Sequence, residues 1–357
     1  MAINLLIVDD SALMRRHLTQ IFAAAGGFEI RAARNGQEAI DENLAWQPDV
    51  ITLDINMPVM DGITALAHIM ASRPAPVVMV SSLTEKGALA TFEALALGAA
   101  DYIAKPGGTI SLSIDEIQEE LIAKVKAAAR AKIKNKGGTK GLAERLREAR
   151  AKKPPRPAFV RRNVAQAEVL VLIGVSTGGP STLEEILPKL PADFPFPIIV
   201  AQHMPASFTG PFAARMNGLC VLEVVEVNKP LELAPGTIYV GKGGADVVIA
   251  NRAGRLMVLP KPESPRHLWH PSVEILGRSA LECCDAGHLI AVMLTGMGDD
   301  GADAFAEIKK QGGRTIAEAE DSAVVFGMPK ELIARDGANL MLPADKIANQ
   351  LIAWART

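Results

Sequence analysis

The sequence predicts an α/β protein built from two doubly wound domains. Three observations carry that prediction. Short runs rich in Val, Ile and Leu alternate with stretches of helical spacing in both halves of the chain, the pattern of parallel strands covered by helices. The 357 residues suffice for two full cores. A basic, proline-containing stretch separates two acidic bodies: 15 Lys and Arg stand against Glu144 and Glu148 between Lys124 and Arg162, while the remainder carries 23 basic and 38 acidic residues. The expected division is therefore 1–123, a linker over 124–166, and 167–357.

In the first domain the strands are expected at Ile3 to Val8, Phe28 to Ala33, Val50 to Leu53, Val77 to Val80 and Tyr102 to Ala104. Helices are expected between them, the first over Ala12 to Ala25 and ending at Gly26-Gly27. Such a (βα)5 sheet binds ligands beyond the carboxyl ends of its strands. Asp9 and Asp10 follow the first strand, Asp54 the third, Ser81 the fourth and Lys105 the fifth. A single aspartate there reads as a solvated helix cap. Five polar groups at successive strand ends read as a site. Clustered carboxylates repel one another unless a hard cation such as Mg²⁺ joins them. A hydroxyl and a lysine beside them suit phosphoryl transfer onto Asp54.

Ser113-Ile114-Asp115-Glu116 has the form of a capping box, so a helix is expected to begin at Ser113. Beyond Lys126 the pattern turns basic, breaks at Gly137-Gly138, and cannot be helical at Pro154-Pro155-Arg156-Pro157. The expectation there is a solvated linker.

The second domain opens with the apolar run Val169 to Ile173, which ends in Gly174-Val175-Ser176-Thr177-Gly178-Gly179-Pro180. The turn fits G-x-S-x-G, which lifts a serine above a sheet, but it could equally cradle a phosphate. A helix follows over Ser181 to Leu190. A second strand, Ile198 to Ala201, ends in Gln202-His203. Val221 to Val227 and Thr237 to Val240 are further strands. Val247 to Ala250 and Leu256 to Leu259 flank Asn251-Arg252-Ala253-Gly254 as an antiparallel hairpin. Ser272 to Cys284 is helical, and His288 to Leu294 is a strand leading to Asp299-Asp300. The result is a mainly parallel, Rossmann-like sheet with an antiparallel excursion.

Three strands thus end in Ser176, His203 and Asp299-Asp300, and parallel strands place their carboxyl ends on one edge. A serine hydroxyl needs a base, histidine can take its proton, and a buried aspartate fixes the tautomer. Glycines around Thr295 to Gly301 leave N–H groups for an oxyanion. The chain order Ser…His…Asp is not that of α/β-hydrolases. The cysteines, Cys220, Cys283 and Cys284, lack metal spacing and are expected to be reduced, buried thiols. No apolar run reaches about 18 residues and no signal-peptide layout opens the chain, so a cytoplasmic protein without membrane insertion is expected.

The first domain resembles the response-regulator receivers through Ile-Val-Asp-Asp-Ser (7–11), Leu-Asp-Ile-Asn-Met-Pro-Val-Met-Asp-Gly (53–62), Met-Val-Ser-Ser (79–82) and Asp-Tyr-Ile-Ala-Lys-Pro (101–106). The resemblance implies Asp54 as phosphoacceptor, Mg²⁺ on Asp10, Asp54 and the Asn56 carbonyl with Asp9 assisting through water, and Ser81 and Lys105 on the phosphoryl group. Tyr102 would be the aromatic that reorients. Asn56 stands where an acidic residue is usual.

The second domain resembles the chemotaxis protein-glutamate methylesterases through Gly-Val-Ser-Thr-Gly-Gly-Pro (174–180), Gln-His-Met-Pro (202–205) and Leu-Thr-Gly-Met-Gly-Asp-Asp-Gly-Ala (294–302). Pro-Ser-Val-Glu (271–274) and Val-Val-Phe-Gly-Met-Pro-Lys-Glu (324–331) add to it. It implies Ser176 as nucleophile, His203 as base and Asp300 as orienting acid, with the Met297 N–H and Thr177 at the oxyanion. His270, Glu274 and Gly277 stand where the family has arginine, aspartate and a bulky aromatic.

The implied function is phosphorylation-activated methyl-ester hydrolysis on chemoreceptors, with glutamine deamidation and no cofactor for the ester chemistry. The partners are then methylated receptors of the membrane-bound array and a chemotaxis histidine kinase as phosphodonor. The unphosphorylated receiver is expected to block substrate. A nucleotide-binding output or a non-enzymatic scaffold gives His203 and Asp300 no task. A nucleic-acid partner is not expected, because the second domain is acidic and rich in strands.

Overall fold

The computed structural model describes residues 2–105, 110–130 and 169–356. The basic stretch beyond Arg130, with Gly137-Gly138 and Pro154-Pro155-Arg156-Pro157, lies outside them. The chain falls into two compact units, Met1–Ala151 and Lys152–Thr357.

In the first unit, strands β1 (Ile3–Val8), β2 (Phe28–Ala33), β3 (Val50–Asp54), β4 (Val77–Ser82) and β5 (Asp101–Lys105) form one parallel sheet in the order β2-β1-β3-β4-β5. Helices α1 (Ala12–Ala25), α2 (Gly36–Trp46), α3 (Gly62–Ser72) and α4 (Glu85–Leu97) connect them. Each starts where a short polar side chain can take an orphan backbone N–H. Ser11, Asn35, Asp61 and Thr84 accept from Met14, Glu38, Thr64 and Gly87. Strands β3 and β4 are buried almost throughout and β1 over Leu5–Val8, as their apolar runs require, while the edge strand β2 stays half-buried or exposed from Phe28 to Ala32.

Helix α5 spans Ile110–Arg130, so it begins three residues before the Ser113 predicted as its cap. The reason lies in the spacing: Ile110, Ile114, Ile117, Leu121 and Val125 form one continuous helical stripe. The capping-box residues are therefore inside the first turns.

The second unit is organised on β6 (Leu170–Val175), β7 (Ile198–Gln202), β8 (Glu223–Val227), β10 (Thr237–Gly241), β13 (Leu289–Met293), β14 (Arg314–Glu318) and β15 (Leu340–Leu342). Their order is β15-β14-β13-β6-β7-β10-β8, all parallel. A small antiparallel sheet adds β9 (Leu231–Glu232) to the hairpin β11 (Asp246–Arg252) and β12 (Arg255–Lys261). The helices are α6 (Gly179–Ile186), α7 (Ala206–Leu219), α8 (Val273–Cys283), α9 (Ala302–Lys310), α10 (Met328–Ala334) and α11 (Ala344–Trp354). From β6 the chain first builds outward through β7, then returns to lay β13 on the other flank of β6. The order reverses between β6 and β13, and a crevice opens beyond the carboxyl ends at such a point.

One detail corrects the sequence reading. Of the cysteines only Cys220 is buried, while Cys283 and Cys284 are half-buried at the end of α8 and beside it. At Gly277 a Cβ would lie 2.7 Å from the Ala304 Cβ and 3.3 Å from the Phe305 ring. Phe305 is fully buried there, so the space a large residue would need is already filled from α9. Gly277→Phe is expected to destabilise the fold by about 1–3 kcal/mol through overpacking. A lowered urea midpoint checks this, and an unchanged midpoint would show that α8 and α9 can part freely.

Candidate active site

Two adjacent strands of the central sheet supply the first two residues. Val175, the last residue of β6, is paired with Gln202, the last of β7, and His203 N–H donates to the Val175 carbonyl at 3.1 Å. Ser176 and His203 therefore leave neighbouring strands side by side. Ser176 N–H donates to the Thr295 carbonyl at 3.0 Å, which ties the serine to the loop after β13 as well. That loop comes very close: a Cβ on Gly296 would lie 2.7 Å from the Ser176 Cβ. Only glycine fits there, and Met297 follows directly.

Asp300 reaches the same edge. Its Oδ2 accepts from His203 Nε2 at 2.8 Å and from the Val273 N–H at 2.7 Å. Its Oδ1 accepts from Ser272 Oγ at 2.9 Å and from the Glu274 N–H at 3.1 Å. Burial opposes charge on this carboxylate, yet the His203 bond and the two N–H groups at the start of α8 prevail and hold its pKa below the ordinary value. An ionised Asp300 puts the His203 proton on Nε2. Nδ1 is then the nitrogen with a free lone pair, and it is buried without a hydrogen-bond partner. Ser176 Oγ makes no hydrogen bond among the described residues. Catalytic bonds often tighten only when substrate is present.

Besides Thr177, which the sequence already names, this site holds Trp269, Ser272 and Gln202, which gave no catalytic signal of their own. Trp269 lies against the imidazole of His203 with ring centroids 5.5 Å apart and an interplanar angle of 11°. Ser272 caps α8 and bonds Asp300 in the same motion. Gln202 donates to the carbonyls of both Ser176 and His203. Thr177 has a buried hydroxyl with no partner, and its carbonyl accepts from Thr295 Oγ1 at 2.9 Å. The variant positions are accounted for too. His270 Nδ1 bonds the buried Asp246 at 2.8 Å, and Asp246 also accepts from the Ser264 and Ser272 N–H groups. Glu274 accepts from the Ala304 N–H at 2.8 Å and so caps α9. Its extra methylene is used for that reach. Asp299 instead meets Arg335 on the surface.

In the first unit Asp9, Asp10 and Asp54 each offer a carboxylate oxygen within 4.8 Å of the others. Lys105 Nζ lies 2.9 Å from both Asp9 and Asp54. Burial pushes the Asp54 pKa up, against the pull of Lys105. Burial also works against the charge of Lys105, but Asp54 and Asp9 win and raise its pKa. Ser81 is buried, and its hydroxyl donates to the Gly87 carbonyl at 3.1 Å. Asn56 is exposed on the following loop. Tyr102 is buried on β5, with Lys124 Nζ 5.1 Å from its ring centre and bonded to its carbonyl at 2.8 Å.

Among known proteins, residues 171–351 match the family described as CheB methylesterase, and residues 5–114 match the response regulator receiver domain. A Rhodospirillum rubrum protein, "Protein-glutamate methylesterase/protein-glutamine glutaminase 3", is 58% identical over 357 residues, covering 98% of this chain and 96% of its own length. A Rhodopseudomonas palustris protein, "Protein-glutamate methylesterase/protein-glutamine glutaminase 2", is 52% identical, covering 99% and 98%. The crystal structure of the Thermotoga maritima CheB methylesterase catalytic domain superposes with a TM-score of 0.51 at 38% identity, covering 54% of this chain and 100% of that one.

Proposed function

Because the chain belongs to the CheB methylesterase family, we propose that it hydrolyses glutamate methyl esters on chemoreceptors, deamidates glutamines there, and is activated by phosphorylation of its receiver. The observation that carries the mechanism is the 2.8 Å bond from His203 Nε2 to Asp300, with Nδ1 buried and unpaired on the strand next to Ser176.

Ser176 Oγ attacks the ester carbonyl carbon and its proton passes to His203 Nδ1. Asp300 steadies the imidazolium. The negative charge that develops on the carbonyl oxygen meets the Met297 N–H, with Thr177 beside it. Methanol leaves with the proton from His203, or ammonia when the substrate is an amide. Water, deprotonated by the same histidine, then releases the glutamate from the acyl-serine. The familiar serine triads use Nε2 toward serine and Nδ1 toward aspartate. Here the two nitrogens exchange roles. No cofactor enters these steps.

In the receiver, residues 1–123 in this reading, Asp54 is the phosphoacceptor and a histidine kinase the donor. The three carboxylates fit a hard divalent cation such as Mg²⁺ held by Asp10, Asp54 and the Asn56 carbonyl, with Asp9 through water. Such an ion would supply positive charge for the incoming phosphoryl oxygens. Lys105 is charged and in reach of the same oxygens, Ser81 would turn from Gly87 to join it, and Tyr102 would reorient in response. Residues 124–166 then link receiver to esterase. The cell compartment in this reading is the cytoplasm; among the described residues no helix is long and apolar enough to cross a membrane.

The test is methanol release from methylated receptor, with and without a small phosphodonor. Asp54→Ala is expected to erase the phosphodonor response and leave the unstimulated rate in place. A persisting response in that variant would show that another group receives the phosphoryl. Deleting residues 1–165 is expected to raise the unstimulated rate, and an unchanged or lower rate would refute inhibition by the receiver.

A further inference from the structure

We propose that Gln202 is a positioning residue that sets the separation between the nucleophile and the base, an inference that rests on the Ser176–His203 mechanism above. The β6–β7 ladder ends at the Val175–Gln202 pair, with the His203 N–H to Val175 bond as its last main-chain link. Beyond it the two chains diverge, one into the turn before α6, the other toward Met204-Pro205. No backbone bond can hold Ser176 beside His203 past that point. The Gln202 side chain does so instead. Its Nε2 donates one N–H to the Ser176 carbonyl at 2.9 Å and the other to the His203 carbonyl at 3.0 Å.

One planar amide nitrogen thus bridges the main chains of two catalytic residues, and its fixed H–N–H angle fixes the gap between their carbonyls. The orientation is not arbitrary. Turning the amide over would set Oε1 against two carbonyl oxygens at those distances, with nothing to donate. Gln202 is buried, and its Oε1 has no partner. A buried unpaired acceptor is costly, and here it is tolerated so that both donors face the catalytic strands. The neighbouring glycine fits this arrangement: a Cβ on Gly179 would lie 2.0 Å from Oε1, so only a residue without a side chain leaves the amide in place. The Gly179 N–H closes the set by donating to the same Ser176 carbonyl at 2.9 Å.

The test uses the full-length protein and an aryl sulfonyl fluoride, a small probe that acylates an activated serine without receptor contacts. Gln202→Met keeps the shape and removes both donors. Gln202→Glu keeps the shape and sets oxygens against the carbonyls. Gln202→Asn keeps the amide but withdraws it by one methylene. Each is expected to slow Ser176 labelling and to lower kcat for receptor demethylation by about 10–100-fold, since an ångström of misplacement can cost about 10². KM is expected to stay within about twofold, because these groups do not touch the receptor. Folding is followed by thermal midpoint, and rates are referred to folded protein. Labelling of any folded variant at the wild-type rate, or a loss carried by KM, overturns the proposal. So does failure of all three to fold, since the amide would then hold the domain rather than the site. An unlabelled wild-type protein would instead overturn Ser176 as the nucleophile.

Discussion

Replacing Ser176 with alanine is expected to lower methyl-ester hydrolysis by about 10⁴–10⁶ in kcat, the range seen when a serine nucleophile is removed from a working triad. The fold is expected to survive the change. The Ser176 hydroxyl has no hydrogen bond to lose among the described residues, whereas its N–H and carbonyl, which alanine keeps, hold Thr295, Gly179 and Gln202. The urea midpoint should therefore move by no more than about 0.5 kcal/mol equivalent. What should remain, if the Met297 N–H serves the oxyanion as proposed, is catalysis by that group and by substrate positioning, still above the uncatalysed rate. His203→Ala should cost a similar factor, and the double variant little more, because the two act as one unit. The measurement is methanol release from methylated receptor, with glutamine deamidation in parallel. Retention of more than a tenth of wild-type activity by Ser176→Ala would falsify the acyl-serine route. Loss of one activity without the other would show that ester and amide are handled by different groups.

The strands and the meeting of Ser176, His203 and Asp300 were legible because they depend on patterns that sequence carries directly. Runs such as Leu170 to Val175 are apolar throughout because both faces of the sheet are covered. The residues that follow such runs must lie at one edge. A phosphate cradle at the glycine turn after β6 would leave His203 and Asp300, which follow two further strands of the same sheet, without a task. What sequence does not carry is the direction of a side chain after the strand ends. Whether Asp300 meets Nδ1 or Nε2 of His203 depends on how α8 presents the Val273 and Glu274 N–H groups, and α8 lies about 70 residues away. The stacking of Trp269 depends on a loop pinned by Asp246, a residue of the hairpin that carries no motif. The Gln202 clamp needs the exact register of β6 on β7. The start of α5 lies before the expected cap at Ser113 because the apolar spacing that continues to Leu121 and Val125 already begins at Ile110.

Asp300→Asn is the second large effect, and its size follows from four hydrogen bonds that all need an acceptor. Two donors meet each carboxylate oxygen: His203 Nε2 and the Val273 N–H on one, Ser272 Oγ and the Glu274 N–H on the other. An asparagine has one oxygen. If its NH₂ takes the first place, it opposes the Val273 N–H and can bond His203 only by donating to Nε2. The imidazole proton must then sit on Nδ1, and the lone pair that should deprotonate Ser176 is gone. If the NH₂ takes the second place, it opposes the Glu274 N–H, and the imidazolium loses its counter-charge. The expected fall in kcat is about 10⁴, as for loss of the orienting aspartate elsewhere, with KM nearly unchanged. Stability falls as well, by about 0.5–2 kcal/mol at neutral pH, because the carboxylate also caps the positive end of α8. The pH dependence has a definite sign. The folded-state pKa of Asp300 is depressed, so its contribution is complete above the ordinary aspartate value and is lost as pH falls through the depressed value. Urea midpoints for wild type and Asp300→Asn should therefore differ at pH 7 and converge in acid. A gap that widens in acid would mean that Asp300 is held protonated in the folded protein, and with it the assignment of Nδ1 as the base would fail.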